Sequence, residues 1–386
     1  MAQSESNRVD VRFSEETTWN EVPATPVMAS LPYTGETLAY DKRTIKSNLV
    51  RSDRLTDDII EVGAGSAGDL KFEYKFGDYE LLMEGALGSD FVNATFTGSA
   101  GNLDIAASGA GVQVLTAPAA TWDAYLVGAY VRVSGANAAN NGVFRITAKT
   151  STDLTINNTT GTLQANADGA TVLMKTVRTG VLKKSYLFEK NFGDIAQFIS
   201  FRGIRVGSWA MDVTAEQIVT GTFGLLGAGA FAAGTTVSGS VTPAGSLSVV
   251  GATANMGRIE EGGVALTTKV KAVKFNLNAN LRQLTAIANK FPIGINLGSF
   301  EITGSVEAYF EDLALYNKFV NHTDSSLVFE FDSLEDDRTI ITISNLKFTN
   351  AKPVGAGLNQ DVMVTMDFMG KRDAVSNAMM QVDLLT

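Results

Sequence analysis

Apolar and polar positions alternate along two stretches of this chain, and in both the period then lengthens. In residues 298–319, GSFEITGSVEAYFEDLALYNKF, Phe300, Ile302, Val306, Ala308 and Phe310 fall on one side. Glu301, Thr303, Ser305, Glu307 and Tyr309 fall on the other. Period two with one apolar side predicts a half-buried strand. From Leu313 the apolar residues Leu315, Tyr316, Phe319 and Val320 follow helical spacing, with Glu311 and Asp312 placed where the helix dipole favours acids. Residues 68–87, GDLKFEYKFGDYELLMEGAL, repeat the design. Leu70, Phe72, Tyr74 and Phe76 alternate with Asp69, Lys71, Glu73 and Lys75, and Asp78 is placed to cap a helix carrying Leu81, Leu82 and Leu87.

The surrounding pattern repeats as well. A strand at 31–40 precedes a charged loop at 41–58, and residues 270–281 precede a loop at 282–297. After each strand–helix unit come three strand candidates: 185–190, 197–207 and a strand from Met211 in one half, 326–332, 339–351 and 361–370 in the other. The shared order predicts an internal duplication. Residues 99–179 interrupt it with Ala, Gly, Asn and Thr, and carry short strand candidates at 111–115, 130–134, 142–147, 153–156 and 171–175. Turn signals at Asn140-Asn141-Gly142 and Asp168-Gly169 separate them, which reads as an inserted all-β module. The expected organisation is an extended arm at 1–30, a discontinuous first domain at 31–98 with 180–226, and the insert at 99–179. A Gly/Ala/Ser/Thr-rich linker at 227–256, a second domain at 257–372 and a tail at 373–386 complete it.

Composition narrows the chemistry. The chain has 386 residues, a net charge of −10 and no Cys, which removes disulfides, thiolate metal sites and Cys nucleophiles. An acidic balance does not suit a surface that grips nucleic acid. The one His, His322, sits near the end of a predicted helix and lacks the context of a catalytic triad. The acid clusters Asp57-Asp58, Glu260-Glu261 and Glu335-Asp336-Asp337 lack Ca²⁺-loop spacing. No apolar stretch reaches the ~20 residues of a membrane helix, and the opening residues carry no secretory pattern. No catalytic residue, cofactor or metal is expected, nor any membrane partner, and synthesis in the cytoplasm is the expectation. The polar strand faces remain as candidate function: Glu73, Asp212, Glu216, Glu301, Glu307, Asp361 and Asp367 stand among Thr and Ser, with Lys71 and Lys75 as exceptions. Such a surface repels phosphates.

The run ETTWNEVPATP from Glu16, the segment NLVRSDR at 48–54 and the 68–87 unit together resemble the tail tube protein of long, non-contractile-tailed bacteriophages. The likeness covers residues 10–95 closely and 180–386 by pattern, and leaves out the insert. It implies a mainly β fold: two tandem tube-type β-sandwich or barrel domains, each with a short flanking α-helix, plus the small all-β insert. It implies a structural subunit of the virion tail that assembles with itself into trimeric rings stacked around a channel for DNA. Its further partners would be the tape-measure, tail terminator and distal tail proteins. DNA would pass without specific binding, along a lumen lined by the seven acids named above. The 41–58 loop would touch the adjacent ring through Ile45, Leu49, Val50, Arg51, Arg54 and Leu55, with 282–297 as its counterpart. The alternative reading is an all-β carbohydrate-binding or adhesion protein acting through the 99–179 insert.

Overall fold

The computed structural model describes residues 3–99, 101–107, 111–136, 140–157, 170–266, 270–333, 337–355 and 357–385. The turn at Asp168-Gly169 and the acids Glu335 and Asp336 lie outside the described residues. The fold is mainly β. In chain order, the elements that build its principal sheets are β1 (Val9–Glu15), β2 (Ala39–Lys46), β3 (Ile59–Glu73), α1 (Glu80–Leu87), β4 (Tyr186–Phe192), β5 (Gln197–Thr214) and β6 (Thr220–Gly227), followed by β7 (Val270–Asn278), β8 (Glu301–Tyr309), α2 (Ala314–Val320), β9 (Ser325–Asp332), β10 (Arg338–Val354), β11 (Met363–Gly370) and β12 (Met380–Leu385). They fall into two compact units, one of Met1–Gly88, Val181–Ala252 and Ala272–Gly304, the other of Ser89–Gly180, Thr253–Lys271 and Ser305–Thr386.

In the first unit β5 is the hub. Its N-terminal half pairs with β4, and its C-terminal half runs between β6 and β7. β6 pairs in turn with β3, and β3 with β2, all antiparallel. Leu70, Phe72, Phe223, Trp209, Met211, Phe275 and Leu277 are buried on one face of this sheet. Trp209 lies 5.9 Å from the Phe223 ring and meets Phe275 edge-on at 5.3 Å. Close approach requires glycine at 68, where a Cβ would come 2.4 Å from the Leu38 backbone. Helix α1 is mostly buried and ends on Gly88 at φ 64°, a left-handed C-cap that glycine adopts without strain.

Several sequence expectations are corrected here. Asp78 does not cap α1: it accepts the Gly245 N–H at 2.7 Å and sits 3.6 Å from Lys75. The first 30 residues are not a free arm. β1 pairs along β4, and Val11 and Phe13 are buried. Their alternation spans only seven residues and lies inside a polar, Pro-containing context. The 227–256 stretch is not an unstructured linker either. Gly229–Ala233 pairs with β5, and the buried Glu189 carboxylate accepts Thr236 Oγ1 at 2.7 Å and Val237 N at 2.8 Å. The strand expected over 31–40 is displaced, its place taken by the two-residue strand Gly35–Glu36 and by β2.

In the second unit β10 is the hub. Its N-terminal half lies between β9 and β12, and its C-terminal half pairs with β11. The strands expected in the insert form, at Val112–Thr116, Tyr130–Ser134, Gly142–Lys149, Asp153–Asn157 and Ala170–Arg178. They enclose a core around Trp122, Tyr125, Leu115, Leu154, Ile156 and Val172. Ala170–Arg178 also pairs with β12, through Thr176↔Asp383, Val177↔Val382 and Arg178↔Gln381. The 373–386 segment is therefore not a loose tail: every residue of β12 is buried. Helix α2 forms where helical spacing predicts, yet none of its residues is buried, and Leu313 and Val320 are exposed.

Asp383 is a buried carboxylate within this core. It accepts the Gln381 side-chain amide at 2.6 Å and the Tyr130 N–H at 3.3 Å. Burial pushes its pKa up to about 7, against the opposing pull of its hydrogen bonds and of Arg178. The native state then binds more protons than the unfolded chain between pH about 4 and about 7. Stability of this unit should fall by a few kcal/mol as pH rises through that window. Asp383→Asn should flatten the dependence, as read from denaturant midpoints at pH 4, 5.5 and 7.5; equal slopes in both proteins would contradict it.

Candidate functional site: a polar sheet face with free edges

The face of the first sheet opposite Trp209 is built by register. Glu73, Thr220, Asp212 and Lys274 form one cross-strand row, Lys71, Thr222, Ala210 and Asn276 the next, and Asp69, Gly224, Ser208 and Asn278 a third. Side chains alternate along each strand, so burial of Phe72, Trp209, Met211 and Phe275 obliges these residues to face away from the core. Asp212 and Lys274 form an ion pair at 2.5 Å, and Thr214 Oγ1 donates to Asp212 Oδ1 at 2.7 Å.

In the second unit the corresponding rows are Asn350–Asp367, Lys352–Thr365 and Lys347–Met369. Asn350 Nδ2 donates to Asp367 Oδ2 at 2.8 Å. Glu307, on β8, pairs with Lys271 at 3.3 Å. Phe348, Ala351, Met366 and Phe368 are buried on the reverse side.

Five of the seven acids expected on polar strand faces sit on strands: Glu73, Asp212, Glu301, Glu307 and Asp367. Two do not. Glu216 occupies the turn between β5 and β6 at φ 63°, so the expected single strand from Met211 is a hairpin. Asp361 precedes β11 and is exposed. Lys75 lies beyond the end of β3, where its Nζ donates to the Gly245 carbonyl at 2.8 Å. The face is also less purely acidic than the sequence reading expects. Lys271 and Lys274 each pair with one of the acids, and Lys347 and Lys352 lie in the β10 rows. The signal for Lys274 was present in the alternation of VKAVKFNLN at Val270–Asn278, whereas Lys271 falls out of that alternation, on the side of Val273 and Phe275.

The 41–58 hairpin is shorter than expected as a loop, because β2 extends to Lys46 and β3 starts at Ile59. Ile45 therefore lies on a strand and Leu49, Val50 and Leu55 in the loop; all four are exposed, Val50 completely. Arg51 holds the loop by ion pairs to Asp53 at 2.8 Å and Asp57 at 2.6 Å, and Arg54 takes φ 61°. The counterpart at 282–297 contains a small hairpin, Arg282–Leu284 with Gly294–Asn296.

Among the described residues no cluster of His, Asp or Glu is arranged to hold a metal ion. Glu261, of the 260–261 acid pair, is buried and engaged by Lys318 Nζ at 2.6 Å and by Ser325 Oγ. An edge strand at Ala39–Lys46 with seven exposed residues, a polar sheet face and projecting apolar hairpin residues are features that suit a subunit of a larger β assembly. The comparison with protein families specifies which: residues 6–370 match the phage tail tube protein family, and the chain belongs to it. Its role is structural, as a self-assembling component of the virion tail. No curated protein matches the chain.

Proposed function

We propose that three copies of this chain form a ring of six similar β modules, and that stacked rings make the channel through which DNA reaches the host. The observation that carries the reading is the recurrence of one pairing order. β4–β5–β6 and β9–β10–β11 are both antiparallel meanders whose long central strand carries a bulge, at Val206/Ser208 and at Phe348/Asn350. A strand leading to a short helix borders each, since β3 pairs with β6 and β8 with β11. Two modules per chain turn a three-fold ring into a near six-fold one. The polar faces would line the channel, with Glu73, Asp212, Glu301, Glu307 and Asp367 opposing phosphate adhesion, and Glu216 and Asp361 would add their charge from the turn and the segment that flank the strands. The loop residues Leu49, Val50, Arg51, Arg54 and Leu55, with Ile45 at its base, would meet the adjacent ring. Tape-measure, terminator and distal tail proteins would complete the tail.

Glu301→Lys combined with Glu307→Lys should leave assembly intact, because Glu301 is exposed and Glu307 about one-third exposed. It should slow DNA release from assembled virions several-fold, because cationic rings bind passing phosphates. Fluorescence-monitored ejection measures this, and unchanged kinetics from normal tails would remove these residues from the channel wall.

A further inference from the structure

The pairing of β5 with β7 supplies a template for contact between copies. β5 pairs along Ser208–Thr214 with Ala272–Asn278, immediately after its bulge. In chain order β7 is the second-repeat counterpart of β2: each precedes a hairpin loop, a long strand and a short helix. The tie between the end of β7 and the start of β8 supports the equivalence, since Gly298 N donates to Ala279 O at 2.8 Å and Asn280 Nδ2 to Ser299 O at 2.9 Å. So the first-repeat hub strand receives the second-repeat version of β2.

The second-repeat hub strand receives no such partner among the described residues. After its bulge, β10 from Asn350 to Val354 pairs with β11 on one edge, and no strand pairs with the other. β2 is likewise an edge: among the described residues it pairs with β3 alone, and seven of its eight residues are exposed. Each edge bears features that protect isolated strands from promiscuous pairing, Pro353 and Lys352 on β10, Lys42, Arg43 and Lys46 on β2.

We propose that the free edge of β10, residues 350–354, pairs antiparallel with β2 of a second copy of this chain, repeating between copies the β5–β7 pairing found within one. This rests on the ring reading above and names the edges that close it. The contact is heterologous, one edge from each compact unit, so successive copies add head to tail until the ring shuts. Pro353 has no N–H to offer, so the new pair carries fewer bonds than β5–β7 and leans on the 350–352 stretch.

The absence of native Cys permits a direct test. Lys352→Cys is combined in turn with Arg43→Cys, Thr44→Cys or Ile45→Cys. The β5–β7 register, with Ser208 opposite Asn278, transfers to Asn350 opposite Lys46 and Lys352 opposite Thr44, and directly opposed residues in an antiparallel pair lie within disulfide reach. Micrographs establish that rings form, and the assembled material is then mildly oxidised. At least one combination should convert most of the protein into a covalent dimer and trimer on a non-reducing gel, reversed by reductant, with no conversion in single-Cys proteins. Rings without any intermolecular cross-link in all three combinations would overturn the edge pairing while leaving the ring reading standing. A protein that forms no rings would overturn both.

Discussion

Ending the chain at Asn377 should unfold the second compact unit. The loss removes β12, in which Met380, Val382, Leu384 and Leu385 are buried. At about 1.5–3 kcal/mol per buried side chain of this size, their removal costs roughly 6–12 kcal/mol. That matches the whole stability of a typical domain, about 5–15 kcal/mol. The truncation also bares the edge of β10 from Arg338 to Ile343, and unties Ala170–Arg178 at Thr176, Val177 and Arg178. Hydrogen exchange should show the insert strands and β9–β11 losing protection while β3, β5 and β6 keep theirs. Retained protection throughout would show that β12 is dispensable.

Trp209→Ala should be the most damaging single change in the first unit. Trp209 is fully buried on the central strand, packed between Phe223 on β6 and Phe275 on β7. Truncation of a large aromatic to Ala costs about 3–5 kcal/mol, because the cavity is only partly refilled. For a unit of this size that lowers the melting temperature by roughly 6–20 °C. Because the ring bridges β5 to β7, the loss should loosen Ala272–Asn278 first, and assembly should weaken before the fold is lost. Calorimetry with sedimentation on the same samples checks both; an unchanged melting temperature would contradict the packing account.

Both predictions concern elements that the sequence disclosed unequally. The β3 and β8 strands were legible because alternation ran long enough and one face was uniformly apolar. The short insert strands were legible because turn residues framed them. β12 escaped although Met380 to Leu384 alternates: the run is only five residues long, and its polar positions Gln381 and Asp383 are buried and satisfied by partners distant in sequence, so the alternation marks no solvent face. β1 escaped for its brevity, and Gly229–Ala233 because Gly and Ala give little contrast between faces. Glu216 was misplaced for a physical reason: its turn preserves the alternation of the flanking strands and is marked by a positive φ that no Gly announces. On the polar face the acids were visible singly, whereas their ion pairs with Lys271 and Lys274 depended on register.

The central claim is that one chain contributes two equivalent modules to a closed ring. Cryo-electron microscopy of end-on views of assembled tubes tests it most directly. The account predicts an open channel with six similar wall densities related by true three-fold symmetry, one chain spanning two adjacent densities. Six-fold rings with one chain per density, or a closed particle with no channel, would contradict it.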